Sequence, residues 1–333
     1  MFMIVKITSV FLLVIILSCT WLWVEYKSAL TTPVVIGQSH VIEIEKGDSF
    51  KTISNKLLES HIAIKPLWFK VIAYEKKVAN KLKAGEYELK AGLTMPEILA
   101  VFVAGKARQY SITFPEGWNF KQILEKIQQN PQIEQTVGAM DFESLMEKMG
   151  SKYKHPEGLF FPDTYFFDKQ TTDIEILKTA YNKMQLVLGE EWKNRAEELP
   201  LNSPYEALIL ASIVEKETGA AIERTQISGV FTRRLKKGML LQTDPTVIYG
   251  MGDRYKGDIR YKDLRQATPY NTYVIKGLPP TPIAMPGQHA IHAALHPAEG
   301  KSLYFVAKGN KGIHKFSATL KEHNNAVNKY QRR

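Results

Sequence analysis

The sequence contains a single cysteine, Cys19, among 333 residues, so no disulfide framework within the chain can hold its fold together. It has no zinc-finger spacing, helix-turn-helix pattern or aromatic RNA-binding signature, which disfavours nucleic-acid binding despite a formal net charge of +10. Glycine and proline number only 21 and 16, and 44% of the residues are hydrophobic. That composition is typical of a globular chain with room for two or three domains. The positive charge predicts an anionic partner, such as a cell-wall polymer or lipid headgroups.

Long hydrophobic runs are also scarce, and the one that is present lies near the N-terminus. Ile7 to Val24 form a run of about 18 mostly apolar residues, enough to cross a bilayer. Lys6 before the run gives a weak positive-inside cue, and aromatic residues suited to an interfacial belt lie toward its end, namely Trp21, Trp23 and Tyr26. We therefore predict a single membrane anchor within residues 1–28 and an exported remainder. A signal peptide with a lipidation box ending at Cys19 is the alternative, although the apolar run continues beyond that residue.

A pattern of strand, glycine and helix occurs three times in the next part of the chain. The three copies align on Gly47, Gly92 and Gly117, and the polar residues two positions later are Ser49, Thr94 and Asn119. A glycine turn, a polar N-cap and apolar residues at helical spacing predict a strand that leads into a capped amphipathic helix. We expect residues 29–140 to form this repeated α/β region and residues 141–333 a second domain, in an α+β fold.

The first copy of the pattern resembles the LysM wall-binding module. The resemblance rests on Val41-Ile-Glu-Ile-Glu-Lys-Gly47-Asp-Ser49-Phe50 and on Lys83-Ala-Gly85-Glu-Tyr87, and it implies contact with glycans that contain N-acetylglucosamine. A spacer domain that uses the same pattern without binding sugar is the alternative. Tyr87 and Trp118 could stack on a sugar, but core positions would suit both residues equally well.

An apolar helix that ends in two glutamates is the most informative stretch of the second region. Ser203 as N-cap, Pro204 at the first helical position and a stop at Gly219 predict a helix over residues 203–218. Glu215 and Glu217 then lie in its last turn, where the helix dipole and burial both raise a carboxyl pKa. A glutamate that is protonated near neutral pH can act as a general acid. The two side chains point about 200° apart, so only one can face a given cleft.

Several motifs around this helix resemble those of one enzyme family. They are Ile213-Val-Glu-Lys-Glu-Thr218, Leu241-Gln-Thr-Asp-Pro-Thr-Val-Ile-Tyr-Gly250, Tyr270-Asn-Thr-Tyr273 and Gly277-Leu-Pro-Pro280. The chain resembles, over nearly its whole length, the membrane-anchored endolytic peptidoglycan transglycosylases, the MltG or YceG-like family. The resemblance implies cleavage between N-acetylmuramic acid and N-acetylglucosamine inside glycan strands, with formation of a 1,6-anhydromuramoyl end. It further implies an inner-membrane protein with a periplasmic catalytic domain, no cofactor, and cell-wall synthases as neighbours.

The resemblance also assigns the two glutamates different roles. Glu217, which is followed by threonine, matches the catalytic residue of the family, and Glu215 is the second candidate. The structural alternative for Glu215 is an ion pair with a lysine or arginine such as Arg233 or Arg234, and for Glu217 it is an ion pair with a neighbouring cation. Ordinary glycosidases use two carboxylates, whereas one glutamate suffices when the C6 hydroxyl of the muramic acid attacks its own anomeric carbon.

Other polar residues near these motifs are candidates for substrate contact. They could equally cap turns and bond the backbone, as Asp and Asn do beside proline. A second acid, Asp244, would permit a muramidase-type hydrolase instead of a transglycosylase. The candidate substrate contacts are Gln242, Asp244, Tyr270, Asn271 and Asp163.

Two alternatives lie outside this chemistry. His289, His292 and His296 have a spacing that places three imidazoles on one helical face, a metal-ligand pattern. Because no carboxylate lies within that motif, the sequence favours no metal. The alternative outside enzymology is a wall-binding tether, in which the repeats bind glycan and the second domain is structural.

Overall fold

The structure, a computed structural model, describes residues 2–138, 140–169, 171–309 and 312–331. Its helices and strands form two compact units. The first contains the residues up to Tyr110 and a short segment that begins at Phe166, and the second contains Ser111 to Tyr165 and the chain from Thr171 onward. Helices and small antiparallel sheets occur together, so the α+β class is confirmed.

The first unit starts with a long helix, α1 (Phe2–Thr31), followed by β1 (His40–Ile44), α2 (Phe50–Glu59), α3 (Pro66–Glu75), β2 (Gly85–Leu89) and α4 (Met95–Ala104). Within α1, Ser9–Thr31 is long and apolar enough to cross a membrane. The last turns of α1 are different, because Ala29 is only 3% exposed in the core of this unit and Glu25 pairs with Lys65 at 2.6 Å. The candidate anchor therefore continues directly into the folded unit.

The predicted strand, glycine and helix pattern is present in all three copies. Gly47, Gly92 and Gly117 have φ angles of 95°, 92° and 76°, values that favour glycine. The helices that follow begin at Phe50, Met95 and Phe120, after the predicted N-caps. In each copy a strand is therefore followed by a glycine turn and a capped helix, as the sequence indicates.

The first two copies share one core, whereas the third belongs to the second unit. Strands β1 and β2 pair antiparallel, with Ile42 opposite Tyr87. Tyr87 is fully buried and donates its hydroxyl to Lys83 O at 2.9 Å, so it is a core residue rather than an exposed sugar platform. The helix of the third copy instead stacks Phe120 on Phe160 of the second unit, at 5.0 Å between ring centroids. The domain boundary expected near residue 140 stays a prediction.

The remaining elements are β3 (Gln109–Thr113), α5 (Phe120–Gln128), α6 (Phe142–Lys148), β4 (Thr164–Asp168), α7 (Asp173–Lys193), α8 (Pro204–Glu217), α9 (Arg224–Lys236), α10 (Asp244–Met251), α11 (Gln288–Leu295), β5 (Tyr304–Ala307), β6 (His314–Ser317) and α12 (Leu320–Tyr330). Strand β3 pairs with β4, and β5 pairs antiparallel with β6. The sequence from Leu303 to Phe316, with Gly309 and Gly312 in its middle, predicts a hairpin with a Gly-rich turn, and the pairing of β5 with β6 agrees with it. Asn310 and Lys311 lie outside the described residues.

Helix α8 is the centre of the second unit. Every residue from Ala207 to Val214 is buried, and α7, α9, α10 and α11 all pack against it. Ser203 caps it as predicted, because its side chain accepts a hydrogen bond from Glu206 N. The predicted helix end at Gly219 is wrong by one residue, since Thr218 is already outside the helix, with an extended backbone at φ −148°. Glu217 is consequently the last helical residue.

Candidate active site

Glu217 lies where α8 ends and is only partly exposed. Its Oε1 accepts a hydrogen bond from the hydroxyl of Thr243. Burial, and to a smaller extent the negative charge of Asp244, raise the pKa of the Glu217 carboxyl, which comes to about 7. The Thr243 hydrogen bond and the positive charge of Arg234 oppose that shift. The carboxyl can therefore both give up and accept a proton near neutral pH.

A network of threonines holds the partner of Glu217 in place. Thr243 N donates to the hydroxyl of Thr272 at 3.1 Å, and Thr246 donates its hydroxyl to Thr243 O at 2.8 Å. Thr246 and Thr272 are fully buried and joined by a hydrogen bond of 2.9 Å. The adjacent Gln242 has a φ of 51°, a strained value for a side-chain-bearing residue. These hydrogen bonds hold Thr243 in place, so that its hydroxyl stays next to the Glu217 carboxylate.

Glu217 opens into a cavity of about 460 Å³ within the second unit. One wall comes from α8, α9 and the start of α10, and the other from β5, β6 and α12. We call it the Glu217 cavity, and its polar lining consists of Glu217, Arg234, Gln242, Asp244, Tyr273, Tyr304, His314, His323 and Gln331.

Arg234 is a buried cation in this wall. Its Nε donates to Leu303 O at 2.7 Å, and its Nη1 donates to Leu241 O at 2.8 Å. Nη1 also lies 3.4 Å from Gln242 Oε1. The acceptors of these bonds are backbone carbonyls and a side-chain amide. None of the hydrogen-bond partners described for Arg234 is a carboxylate. Its charge is available to the cavity.

Asp244 lines the same cavity at the first position of α10. Its Oδ1 accepts a hydrogen bond of 2.6 Å from the hydroxyl of Tyr273. The structure therefore brings together Glu217, Gln242 and Asp244, three of the residues singled out from the sequence.

Glu215 faces a different environment from Glu217. Its Oε2 accepts from Gly287 N at 3.0 Å, and its Oε1 lies 3.6 Å from Arg224 Nη2. The ion-pair partner is thus Arg224, and not Arg233 or Arg234 as the sequence suggested. Burial raises the pKa of the Glu215 carboxyl, and the backbone hydrogen bond from Gly287 opposes the rise. This geometry fits a residue that ties α8 to the start of α11.

The other residues singled out from the sequence lie elsewhere in the second unit. Asn271 is 1% exposed and donates to three backbone carbonyls, the shortest bond being 2.7 Å to Gln266 O. Tyr270 donates or accepts a hydrogen bond of 2.9 Å with the Thr281 hydroxyl. Asp163 pairs with Lys183 and accepts from Thr164 N at 2.7 Å. For Asn271 and Asp163, holding the local backbone fits these contacts better than binding a ligand.

Sequence reasoning missed a second buried glutamate, Glu157. It is 3% exposed, and its carboxylate accepts from Phe120 N at the start of α5 and from the Tyr249 hydroxyl, at 3.0 Å. Burial raises its pKa to about 7. With Tyr270 and Lys216 it lines a separate cavity of about 540 Å³. The segment from Glu157 to Tyr165 is a polar cluster in the sequence, but nothing local indicates that Glu157 itself is buried, because its partners are distant in the sequence.

A pair formed by Glu223 and His314 was also missed. Glu223 Oε2 is 2.8 Å from His314 Nδ1, and the carboxylate also accepts from His314 N at 2.9 and 3.1 Å. Both side chains are nearly buried, and His314 reaches the Glu217 cavity. The two residues are 91 positions apart, so only the fold could reveal the pair.

The histidine motif is rearranged relative to expectation. His292 and His296 lie together, with ring centroids 4.3 Å apart, whereas His289 is exposed and outside the cluster. The carboxylate that the motif lacked is supplied by Glu191 of α7, whose Oε2 is 2.9 Å from His292 Nδ1.

Comparisons with known proteins agree with the motifs. The model of the YceG-like family matches residues 42–329. The endolytic murein transglycosylase of Bacillus subtilis (strain 168) is 34% identical over 306 residues, which span 87% of this chain and 84% of that protein. The endolytic murein transglycosylase of Streptococcus pneumoniae serotype 2 is 26% identical over 86% of this chain but only 57% of its own length.

A solved structure extends the similarity to the fold. The crystal structure of a YceG-like protein from Listeria monocytogenes aligns with a TM-score of 0.55 and 30% sequence identity. The alignment covers 87% of this chain and 99% of the Listeria chain. On the family match and on the relative with 34% identity, this chain belongs to the YceG-like family.

Proposed function

We propose that this protein is an endolytic murein transglycosylase with Glu217 as its acid and base. The observation that carries the proposal is a partly buried carboxyl, with a pKa of about 7, that lines a polar cavity. Its relatives in Bacillus and Streptococcus bear the name of that activity. The substrate is a peptidoglycan glycan strand, cut within the strand at the bond between N-acetylmuramic acid and N-acetylglucosamine.

The proposed reaction needs one carboxyl group and no water. Glu217 gives its proton to the glycosidic oxygen as the bond from that oxygen to the anomeric carbon of muramic acid breaks. The C6 hydroxyl of the same muramic acid attacks the anomeric carbon, and its proton returns to Glu217. A 1,6-anhydro ring and a free hydroxyl on the departing sugar result. Because the nucleophile belongs to the substrate, its effective concentration is high.

Asp244 and Arg234 would stabilise charges on the substrate. An Asp244 carboxylate fixed by Tyr273 can stabilise the positive charge that develops at the anomeric carbon. Arg234 supplies a positive charge suited to a carboxylate of the peptidoglycan. If Asp244 instead activated water, the enzyme would be a muramidase-type hydrolase, and its product would carry a reducing end.

His314 is proposed as an additional substrate contact. The buried Glu223 carboxylate orients its ring through Nδ1, as carboxylates orient histidines in many sites. A ring fixed in this way can bond an acetamido or hydroxyl group of the sugar. Gln242 is proposed as a further contact, since its side chain reaches the Glu217 cavity.

The proposal places this activity at a membrane. The apolar part of α1 would anchor the chain in the cytoplasmic membrane, with both units outside the cytoplasm. The LysM-like first unit would contact nascent glycan, and cell-wall synthases that produce such strands would be its neighbours. The alternative of a wall-binding tether predicts binding to glycan without cleavage.

Two substitutions of equal size separate these proposals. We expect Glu217→Gln to abolish cleavage of purified sacculi while sedimentation with sacculi is retained. Glu215→Gln, on the same helix turn, should keep most of the activity, because Glu215 contacts Gly287 and Arg224 rather than the Glu217 cavity. Circular dichroism would verify that both variants fold. Cleavage by Glu217→Gln at the wild-type rate would overturn the assignment, and binding without cleavage by the wild type would favour the tether.

A further inference from the structure

A carboxylate and two imidazoles meet where α7 approaches α11, apart from the Glu217 cavity. One ligand atom each from Glu191, His292 and His296 lies within 4.8 Å of the other two. Glu191 is in the last turn of α7, His292 is on α11, and His296 caps the end of α11. The cluster thus joins two helices that are about 100 residues apart in the sequence.

The two histidines lie side by side at the end of α11. His292 is in its last turn, His296 is the C-cap with a non-helical backbone at φ −129°, and the two rings are stacked at an interplanar angle of 27°. Two imidazoles and a carboxylate form a donor set that suits Zn²⁺. Because an imidazole binds a metal in its own ring plane, the two rings must turn out of this stack to share one ion.

The carboxylate of Glu191 is already oriented for this role. Its Oε2 is 2.9 Å from His292 Nδ1, and its Oε1 accepts from Gln288 Nε2 at 3.3 Å. The bond from Gln288 is an outer contact of the kind that fixes ligating groups in metal sites, whereas the bond to His292 joins two of the proposed ligands. The His292 side chain is 54% exposed, whereas that of Glu191 is 14% exposed, so an ion could enter from the His292 side.

We propose that Glu191, His292 and His296 bind one divalent transition-metal ion, with Zn²⁺ as the preferred occupant. Three protein ligands would leave a fourth tetrahedral position for water. The ion would fasten the end of α7 to α11, and α11 packs against α8, the helix that carries Glu217. An ion that binds the folded chain raises its thermal stability by mass action. The proposed role of the ion is to stabilise the fold, and it takes no part in the proposed glycan reaction.

Zinc titration of the full-length, metal-free chain in detergent tests this proposal. We expect saturable binding of one Zn²⁺ per chain by isothermal titration calorimetry, with a rise in melting temperature. His292→Ala, His296→Ala and Glu191→Gln should each lose that rise and the saturable binding. His289→Ala is the matched control, since His289 is an exposed residue of the same helix, and it should behave as the wild type.

The control matters because the chain has eight histidines that could bind zinc weakly. His292 is exposed enough that its substitution should leave the fold intact, and circular dichroism without metal would verify this. The proposal is overturned if the wild type shows no saturable binding. It is equally overturned if His292→Ala binds as tightly as the wild type, or if His289→Ala loses binding to the same extent.

Discussion

The ionisation of Glu217 results from opposing contacts of individual residues. Burial and the charge of Asp244 raise its pKa, whereas the Thr243 hydroxyl and Arg234 lower it, with a result of about 7. In the proposed reaction Glu217 must start protonated. We therefore expect the cleavage rate to fall as the pH rises through about 7, and a pH profile of initial rates measures the midpoint.

Thr243→Val should move that midpoint. The valine removes a hydrogen bond that stabilises the Glu217 carboxylate, so the pKa should rise and the alkaline limb should shift to higher pH. Thr164→Val, on an exposed hydroxyl pair with Thr113, is the matched control and should leave the profile unchanged. A shift of the alkaline limb to lower pH in Thr243→Val would contradict the assignment of that limb to Glu217.

Glu217 should also make the protein less stable at high pH. An unfolded glutamate ionises near 4.5, whereas folded Glu217 ionises near 7, so between these values the folded state binds the additional proton. Stability from this group therefore falls as pH rises from about 4.5 to 7. At pH 8 the free energy of unfolding of Glu217→Gln should exceed that of the wild type by about 1–3 kcal/mol. Denaturant titration should show no such gain at pH 4, where both states are protonated.

Candidate site residues could be found from the sequence where the pattern that marks them is local. The choice of Glu217 over Glu215 rested on the family resemblance, and its role stays a prediction. Glu215 and Glu217 end an apolar helix and Asp244 lies in a contiguous motif, so all three could be singled out. Glu157, Glu223 and Glu191 could not, because the groups that give each its environment, Phe120, His314 and His292, are 37, 91 and 101 positions away.

At the scale of elements, the helix starts were predictable because N-caps are short-range features. Ser49, Asn119 and Ser203 all accept the expected backbone hydrogen bond. The end of α8 was not, since Thr218 rather than Gly219 breaks it. The pairing of β3 with β4 also escaped prediction, because the similarity of the three copies does not reveal it.

Gly158 provides a test of the packing that holds the loop of Glu157. A Cβ at this position would lie 2.3 Å from Pro282 Cβ, and the φ of Gly158 is 79°. Gly150 has a similar φ of 73°, but a Cβ there would meet none of the described atoms within 4 Å. Gly158→Ala should therefore destabilise the protein by about 1–3 kcal/mol more than Gly150→Ala, because only the former overpacks. Equal losses in denaturant titration would contradict this.

At the scale of the whole molecule, α1 has two parts with different roles. The apolar part is exposed to its surroundings, whereas Ala29 is buried in the core of the first unit and Glu25 pairs with Lys65. A chain that starts at Glu25 should stay in the soluble fraction and keep its fold. A chain that starts at Thr32 should be less stable, because it lacks Ala29. Fractionation and thermal denaturation would compare them, and equal melting temperatures would contradict the dual role.

The central claim is that one glutamate cleaves the glycan without water. Mass spectrometry of the fragments released from purified peptidoglycan in H₂¹⁸O tests it most directly. We expect 1,6-anhydromuramoyl ends, one water lighter than reducing ends and free of ¹⁸O, from the wild type, and no new fragments from Glu217→Gln. Reducing muramic acid ends that contain ¹⁸O would contradict it, and would identify a hydrolase in which a second acid activates water.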